Sequence, residues 1–249
     1  MFKDIAGKHA FITGASSGLG ARFARVLAAA GARVTLAARR RDALMTIVSD
    51  IIERGGQASA VALDVSAAAS IAKVMADETG PIDILINSAG ISREGAALQM
   101  TENDWDAVVD TNLKGIFLLS QAVARDMRDR GGGSIVNVAS ILGLRVAGNV
   151  ASYAVSKAGL VHLTKVLALE WARYGIRVNA LCPGYFETDL NRQFFETDAG
   201  RAMIKRIPQR RLGRLEELDA PLLLLCSDTC RYMTGSTLVV DGGHLTSSL

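Results

Sequence analysis

The run Lys8-His-Ala-Phe-Ile-Thr13 leads directly into Gly14-Ala-Ser16-Ser17-Gly18-Leu19-Gly20, and residues 22–30 then carry apolar side chains at helical spacing, with Phe23, Val26 and Leu27 on one face. Strand, glycine loop, helix is the order that a phosphate-binding unit requires. Gly14 suits the tight turn, Gly18 lets the backbone approach a pyrophosphate, and Gly20 allows the helix to pack close on the strand. The free N–H groups of the helix start would then face the anion. A plain structural turn with the same glycine spacing is the alternative reading.

Residues 32–38 read as a second strand, at whose end a dinucleotide-binding unit usually presents an acidic side chain to the adenosine ribose. Here Ala38 is followed by Arg39, Arg40 and Arg41. A guanidinium fork matches a 2′-phosphate, which a carboxylate would repel, so these residues favour NADP(H). Arg40 and Arg41 also suit the start of a solvated helix.

Beyond that point helix and strand alternate. Residues 42–54 are expected as a helix closed by Gly55-Gly56, and the strand at 58–63 ends in Asp64-Val65, a carboxylate placed to receive an adenine amino group. A helix follows at 66–79. The apolar run at 82–86 is typical of a strand covered on both faces, and it ends in Asn87-Ser88-Ala89-Gly90. Small residues there leave room for a cofactor, with Asn87 bracing the backbone beneath it. Thr101 caps an expected long helix containing Asn112, whose poor helical propensity points to burial with a specific role or to an ordinary surface position. Residues 134–139 form a strand that delivers Ser140, and the helix at 151–173 carries Tyr153 and Lys157. The strand at 176–181 is expected to break at Pro183-Gly184. The charged, aromatic segment 185–210, with Phe186, Phe194 and Phe195, is expected to be a mobile substrate lid, before a helix at 215–226 and a last strand at 236–240.

No repeat, low-complexity tract or linker interrupts this alternation. It predicts an α/β fold: one domain over residues 1–249, a Rossmann-like, doubly wound parallel sheet in three α/β/α layers. In such sheets ligands bind beyond the carboxyl ends of the strands, where Gly14, Asp64, Asn87, Ser140 and Pro183 all fall. With 49% hydrophobic residues in 249, the chain has ample core and disorder is excluded. A net charge of +3 is too small to imply nucleic acid. No run reaches 18 uninterrupted apolar residues, and Lys3, Asp4 and Lys8 exclude a signal peptide, so the expected location is cytoplasmic, without a membrane partner. Cys182, Cys226 and Cys230 lack the spacing and histidines of a metal site and read as reduced thiols.

Tyr153 and Lys157 lie about one helical turn apart and leave the same face. A tyrosine with a pKa of about 10 is a weak acid at neutral pH, and a lysine ammonium beside it favours the phenolate. Ser140 adds a hydroxyl able to hydrogen-bond the same substrate oxygen. That pair alone would be a weak signal, but Thr13-Gly14-x-x-x-Gly18-x-Gly20, Asp64, Asn87-x-Ala89-Gly90, Asn112, Ser140, Tyr153-x-x-x-Lys157, Pro183-Gly184 and Thr188 occur in one order and spacing. On these motifs the whole chain resembles the short-chain dehydrogenase/reductase family. Ser88 departs from the asparagine often found there.

The resemblance implies nicotinamide-dependent carbonyl reduction or alcohol oxidation. It assigns Tyr153 as general acid/base, Ser140 as the carbonyl-orienting group, and Lys157 as the residue that lowers the tyrosine pKa and holds the nicotinamide ribose. Asn112 would position a water in a proton relay and Thr188 would meet the carboxamide. Leu19, Val65 and Phe186 complete the expected cofactor contacts, and Ser16 and Ser17 could add hydroxyls near a 2′-phosphate. The resemblance also implies a homotetramer built through the helices starting near Thr101 and Ala151 and through the C-terminal segment; Ala154, Ala158, Val161 and Leu169 are compatible with such a face and equally with ordinary core. Two substrate classes stay open. One is a 3-oxoacyl thioester on an acyl carrier protein, which Arg128, Arg130 and Arg173 could dock; the other, slightly favoured, is a small carbonyl compound such as a sugar acid or an aliphatic or cyclic ketone. A cofactor-binding protein without catalysis is the remote third reading.

Overall fold

The computed structural model describes residues 2–77, 80–187 and 192–246. Strands β1 (His9–Thr13), β2 (Arg33–Ala38), β3 (Gln57–Ala62), β4 (Ile84–Asn87), β5 (Gly133–Val138), β6 (Ile176–Pro183) and β7 (Thr237–Val240) form one parallel sheet. Their spatial order is 3-2-1-4-5-6-7. The order reverses between β1 and β4, and a crevice opens there because the connections leave to opposite faces.

Helices α1 (Gly18–Ala29), α2 (Arg41–Glu53) and, late in the chain, α9 (Asp219–Cys226) cover one face. Phe23 and Leu27 of α1 share a core with Leu222 and Leu225 of α9, and Arg22 closes that layer with an ion pair to Asp219. Helices α3 (Ala68–Asp77), α5 (Gly115–Asp129) and α6 (Ala151–Trp171) cover the other face, where Leu119, Val123 and Leu167 pack on Leu85, Ile135 and Val178. Strands covered on both faces cannot alternate apolar with polar residues. Accordingly every residue of β1, β4 and β6 is buried, whereas β3 at the sheet edge shows outward exposure at every other residue along most of its length.

Three expectations change in detail. The helix capped by Thr101, whose hydroxyl accepts from Asp104 N at 3.1 Å, is not continuous. Helix α4 (Glu102–Val109) passes through a π turn at Asp110–Lys114 before α5, and this wide turn carries Asn112 inward. Strand β6 runs through Pro183 instead of stopping at residue 181, since it can pair with β7 through its carbonyls. On α6, Val161 is core at 5% exposure, so Ala154, Ala158, Val161 and Leu169 do not make one outward face. The exposed apolar stripe is Val155, Val166 and Leu169.

The segment expected as a lid holds two short helices, α7 (Arg192–Phe195) and α8 (Asp198–Ile204). Phe195 and Ile207 are buried, and the Phe195 ring meets Tyr185 edge-on at 6.1 Å.

Candidate active site

The loop from β1 into α1 begins with Gly14 at φ +65°, where a side chain would meet Ala89 Cα at 2.7 Å. The neighbouring chain end is held in place by Thr13. Its hydroxyl accepts from Ser88 N and Ala89 N, both at 3.1 Å, and so ties the end of β4 to the end of β1. Gly18 stands at φ +53° and the space where its side chain would be is open. Ser17, at the N-cap of α1, makes no side-chain cap bond, and the first turn holds no acidic residue. Thr101 and Thr197 cap their helices, whereas the first N–H groups of α1, like those of α2 and α6, have no side-chain cap and are left to another acceptor.

A cleft of about 570 Å³ opens over this loop. Ser16, Ser17, Leu19 and Gly20 line its floor, and Arg39 and Arg40 stand at one rim beyond Ala38. Both arginines are exposed, and neither is ion-paired among the described residues. Asp64 and Val65 line the adjoining wall. The Asp64 carboxylate accepts from Ser66 N at 3.0 Å and from its hydroxyl at 2.7 Å, which fixes the carboxylate at the end of β3. Ala89, Gly90 and Ile91 form the opposite wall, and Tyr153 and Lys157 close the far end.

The Ser140 hydroxyl stands beside the Tyr153 phenol and acts to lower its pKa; it also caps the turn after β5 by accepting from Leu142 N at 3.1 Å. Lys157 is buried; its ammonium donates to Val138 O at 2.8 Å and stands 5.6 Å from the centroid of the Tyr153 ring. Burial pulls the lysine pKa down to about 8. Burial likewise pushes the Tyr153 pKa up, against the lowering effect of the Ser140 hydroxyl. The expected depression of the tyrosine pKa by Lys157 is therefore not what this geometry gives, because removing the phenol from water outweighs the other influences.

Asn112 is fully buried behind the wall. Its Oδ1 accepts from Ile91 N at 2.8 Å, and its Nδ2 donates to Ile91 O at 2.9 Å and to Ser156 Oγ at 3.1 Å. Ser156 in turn donates to Tyr153 O at 2.7 Å. Cleft wall, π turn and tyrosine helix are thereby joined through one side chain.

A family model described as "Enoyl-(Acyl carrier protein) reductase" matches residues 14–244. The chain belongs to the short-chain dehydrogenase/reductase family. It is 39% identical over 243 residues to 3-oxoacyl-[acyl-carrier-protein] reductase FabG of Escherichia coli (strain K12), covering 96% of this chain and 98% of the relative. It is 36% identical over 244 residues to gluconate 5-dehydrogenase of Gluconobacter oxydans (strain 621H), covering 96% and 95%. The crystal structure of a gluconate 5-dehydrogenase from Burkholderia cenocepacia J2315, in complex with NADP and tartrate, superposes with a TM-score of 0.92 at 37% identity over 99% of both chains.

Within this dehydrogenase/reductase scaffold, four residues expected to contact a cofactor are not among those that line the cleft. Asn87 is fully buried beneath the cleft and donates to Ser120 Oγ at 2.9 Å and Asn137 Oδ1 at 2.8 Å, which fits a brace and not a contact. Pro183 pairs with Val240 at the end of β6, and Gly184 packs against Asp241. Phe186 is drawn into the core because its ring fills the space beside Gly213. Thr188 lies outside the described residues. Sequence reading passed over Asn137, which donates to Thr164 Oγ1 at 2.9 Å and links β4, β5 and α6. A lone polar residue in the run Ser-Ile-Val-Asn-Val was the available signal, since buried amides must find partners.

The three cysteines are free, and burial raises the Cys182 thiol to about 11, so it is inert although close to Ser140. Among the described residues no group of three or more His, Cys, Asp and Glu could hold a metal ion, and no helix is long and apolar enough to cross a membrane.

Proposed function

We propose that the protein is an NADP(H)-dependent oxidoreductase that reduces a ketone to a secondary alcohol, or runs the reverse reaction, on a small substrate. The observation that carries this reading is Tyr153 with Ser140 and Lys157 beside it, at the end of a cleft that begins on an uncapped helix N-terminus. The residues present suit the cofactor. The glycine loop and the open first turn of α1 accept a pyrophosphate, Arg39 meets a 2′-phosphate, and Asp64 and Val65 flank an adenine. Solved relatives hold NADP at the same fold, the Burkholderia cenocepacia enzyme among them. When bound, the nicotinamide supplies or accepts the hydride.

Tyr153 gives its proton to the carbonyl oxygen, and burial keeps that proton in place at neutral pH. Ser140 hydrogen-bonds the same oxygen and orients it. Lys157, cationic below its pKa of about 8, stabilises the phenolate left behind and offers N–H donors to a ribose. Asn112 holds the cleft wall through Ile91. Of the expected lid at 185–210, the described residues 185–187 and 192–210 cover the substrate, supported by the Tyr185–Phe195 contact.

Small carbonyl compounds are favoured over an acyl carrier protein by the arginines first considered as its dock. Arg130 is occupied by Asp83 and Asp126, Arg128 by Asp129, and Arg173 lies over the Tyr174 ring at 4.8 Å. They flank Asp83 and Ile176, at the end of the sheet opposite the cleft. A homotetramer is supported by the exposed stripe Val155, Val166 and Leu169, and a cytosolic location by the free thiols.

The test is NADPH oxidation with a panel of ketones and keto acids. The wild type turns over at least one member, and Tyr153→Phe loses about a hundredfold or more in kcat with NADPH affinity unchanged. If Tyr153→Phe keeps more than about a tenth of kcat, the proton comes from elsewhere.

A further inference from the structure

Beyond Ser140 the chain makes a tight turn over Ile141–Gly143, and Arg145 N donates to Ile141 O at 2.9 Å. Arg145 is thus fixed one turn beyond the group that stands beside the catalytic tyrosine. It is half-buried, and its Nη1 donates to His244 O at 2.6 Å. The His244 ring lies 5.5 Å from the ring of Tyr185, which neighbours Tyr153 closely enough that the ionisation of one opposes that of the other. Arg145, His244 and Tyr185 therefore form a continuous wall beside the reacting tyrosine.

Arg145 has no ion-pair partner among the described residues. A guanidinium has five N–H donors, and Arg145 spends one on a carbonyl among the described residues. No carboxylate of those residues lies within ion-pair distance of it, and Arg206 adds a second cation that acts on His244. The nearby acid, Asp241, is committed to backbone: Oδ1 accepts from Gly243 N at 2.8 Å and Oδ2 from Leu245 N at 2.7 Å. Withdrawing a guanidinium from water without a counter-ion is costly, and the cost is recovered when an anion arrives. The planar fork of donors matches a carboxylate.

We propose that Arg145 binds a carboxylate of the substrate, which makes the reaction the interconversion of a keto acid and a hydroxy acid. This rests on the oxidoreductase reading of the same site. In the reductive direction the carbonyl carbon gains a hydride, with both electrons coming from NADPH; the carbonyl oxygen gains the Tyr153 proton; NADP⁺ leaves, and solvent reprotonates Tyr153. The carboxylate changes no bond and serves as the handle that orients the carbonyl.

Tartrate and threitol share a four-carbon chain and differ in carboxylates against hydroxymethyl groups, so they isolate the charge. Calorimetric titration of the NADP⁺-loaded enzyme should show tartrate bound at least about tenfold more tightly than threitol, as a charge-assisted contact implies. Arg145→Gln keeps an N–H donor for the His244 carbonyl but removes the charge. It should lose about tenfold or more in tartrate affinity while threitol and NADP⁺ affinities hold, and Arg145→Lys should restore part of the loss. Equal binding of the two probes by the wild type, or undiminished preference in Arg145→Gln, overturns the assignment. So does an equal loss for both probes, which marks Arg145 as an anchor for the C-terminal segment. A wild type that oxidises NADPH with neutral ketones yet ignores charge leaves the oxidoreductase reading standing; absence of turnover with every ketone and keto acid defeats that reading separately.

Discussion

Replacing Asn112 with leucine, a side chain with the same number of heavy atoms but a larger volume, removes one polar group that three elements depend on. Asn112 satisfies both backbone groups of Ile91, at 2.8 and 2.9 Å, and reaches Ser156 at 3.1 Å. In Asn112→Leu the Ile91 N–H and C=O lose these partners, while Ser156 keeps its own bond to Tyr153 O. A buried polar group left unpaired costs about 1–3 kcal/mol, and Ile91 is only partly buried, so water relieves some of the loss. Two orphaned groups at the lower part of that range give about 2–4 kcal/mol in all. The cleft wall should suffer as well, because Gly90 offers only 3.4 Å between its absent Cβ position and Asn112 Oδ1, and 3.5 Å to Lys157 Nζ. A branched carbon chain in that gap presses the wall toward Lys157. Urea unfolding monitored by fluorescence should show the stability loss, and NADPH titration should show affinity weakened about tenfold or more. A loss below about 1 kcal/mol with normal NADPH affinity would refute the claim that Asn112 holds the wall.

Arg39→Ala should lower the NADPH over NADH preference in kcat/KM by about ten- to a hundredfold, because a charge-assisted contact to the 2′-phosphate is lost; an unchanged ratio removes Arg39 from the cofactor site. Lys157, drawn from 10.5 down to about 8 by burial, binds fewer protons folded than unfolded between those values. Stability should therefore rise with pH from about 8 to 10.5 by up to about 3 kcal/mol beyond that of Lys157→Met, and identical pH profiles for the two proteins would contradict a buried, depressed lysine. Light scattering should give four times the 26.4 kDa chain mass, and a monomer at micromolar concentration would exclude assembly through the α6 stripe.

Local chemistry explains which parts of this structure were readable. The glycine loop was legible because a left-handed backbone and a close helix approach restrict residue identity wherever they occur, and Gly14 and Gly18 meet those restrictions. The Tyr153 and Lys157 pairing was legible because helical spacing alone sets it. The π turn at Asp110–Lys114 was not, since an asparagine in a helical pattern does not say whether the helix bends to bury it. The burial of Phe186 was unreadable for a related reason: its position depends on the absent side chain of Gly213, 27 residues later, and no local periodicity reports such a contact. Arg145 and the Thr13 clamp were missed because their partners, His244 and the amides of Ser88 and Ala89, come from other parts of the chain.

The titration of Tyr153 and Lys157 bears on how the proposed catalytic pair would work. A tyrosine whose pKa had already been lowered would be partly ionised at neutral pH and would be a poorer proton donor to a ketone. Burial instead keeps the Tyr153 proton in place, and the same burial keeps Lys157 close to its own titration, at about 8. A cation 5.6 Å from the ring centroid gains little from a neutral phenol and much from a phenolate. Its attraction therefore grows as the proton leaves, which stabilises the transition state more than the ground state. The Val138 carbonyl fixes the ammonium at 2.8 Å, so little reorganisation is needed when that charge appears. Reduction should accordingly hold its rate through neutral pH and fall as Lys157 loses its charge, at about 8, before Tyr153 ionises.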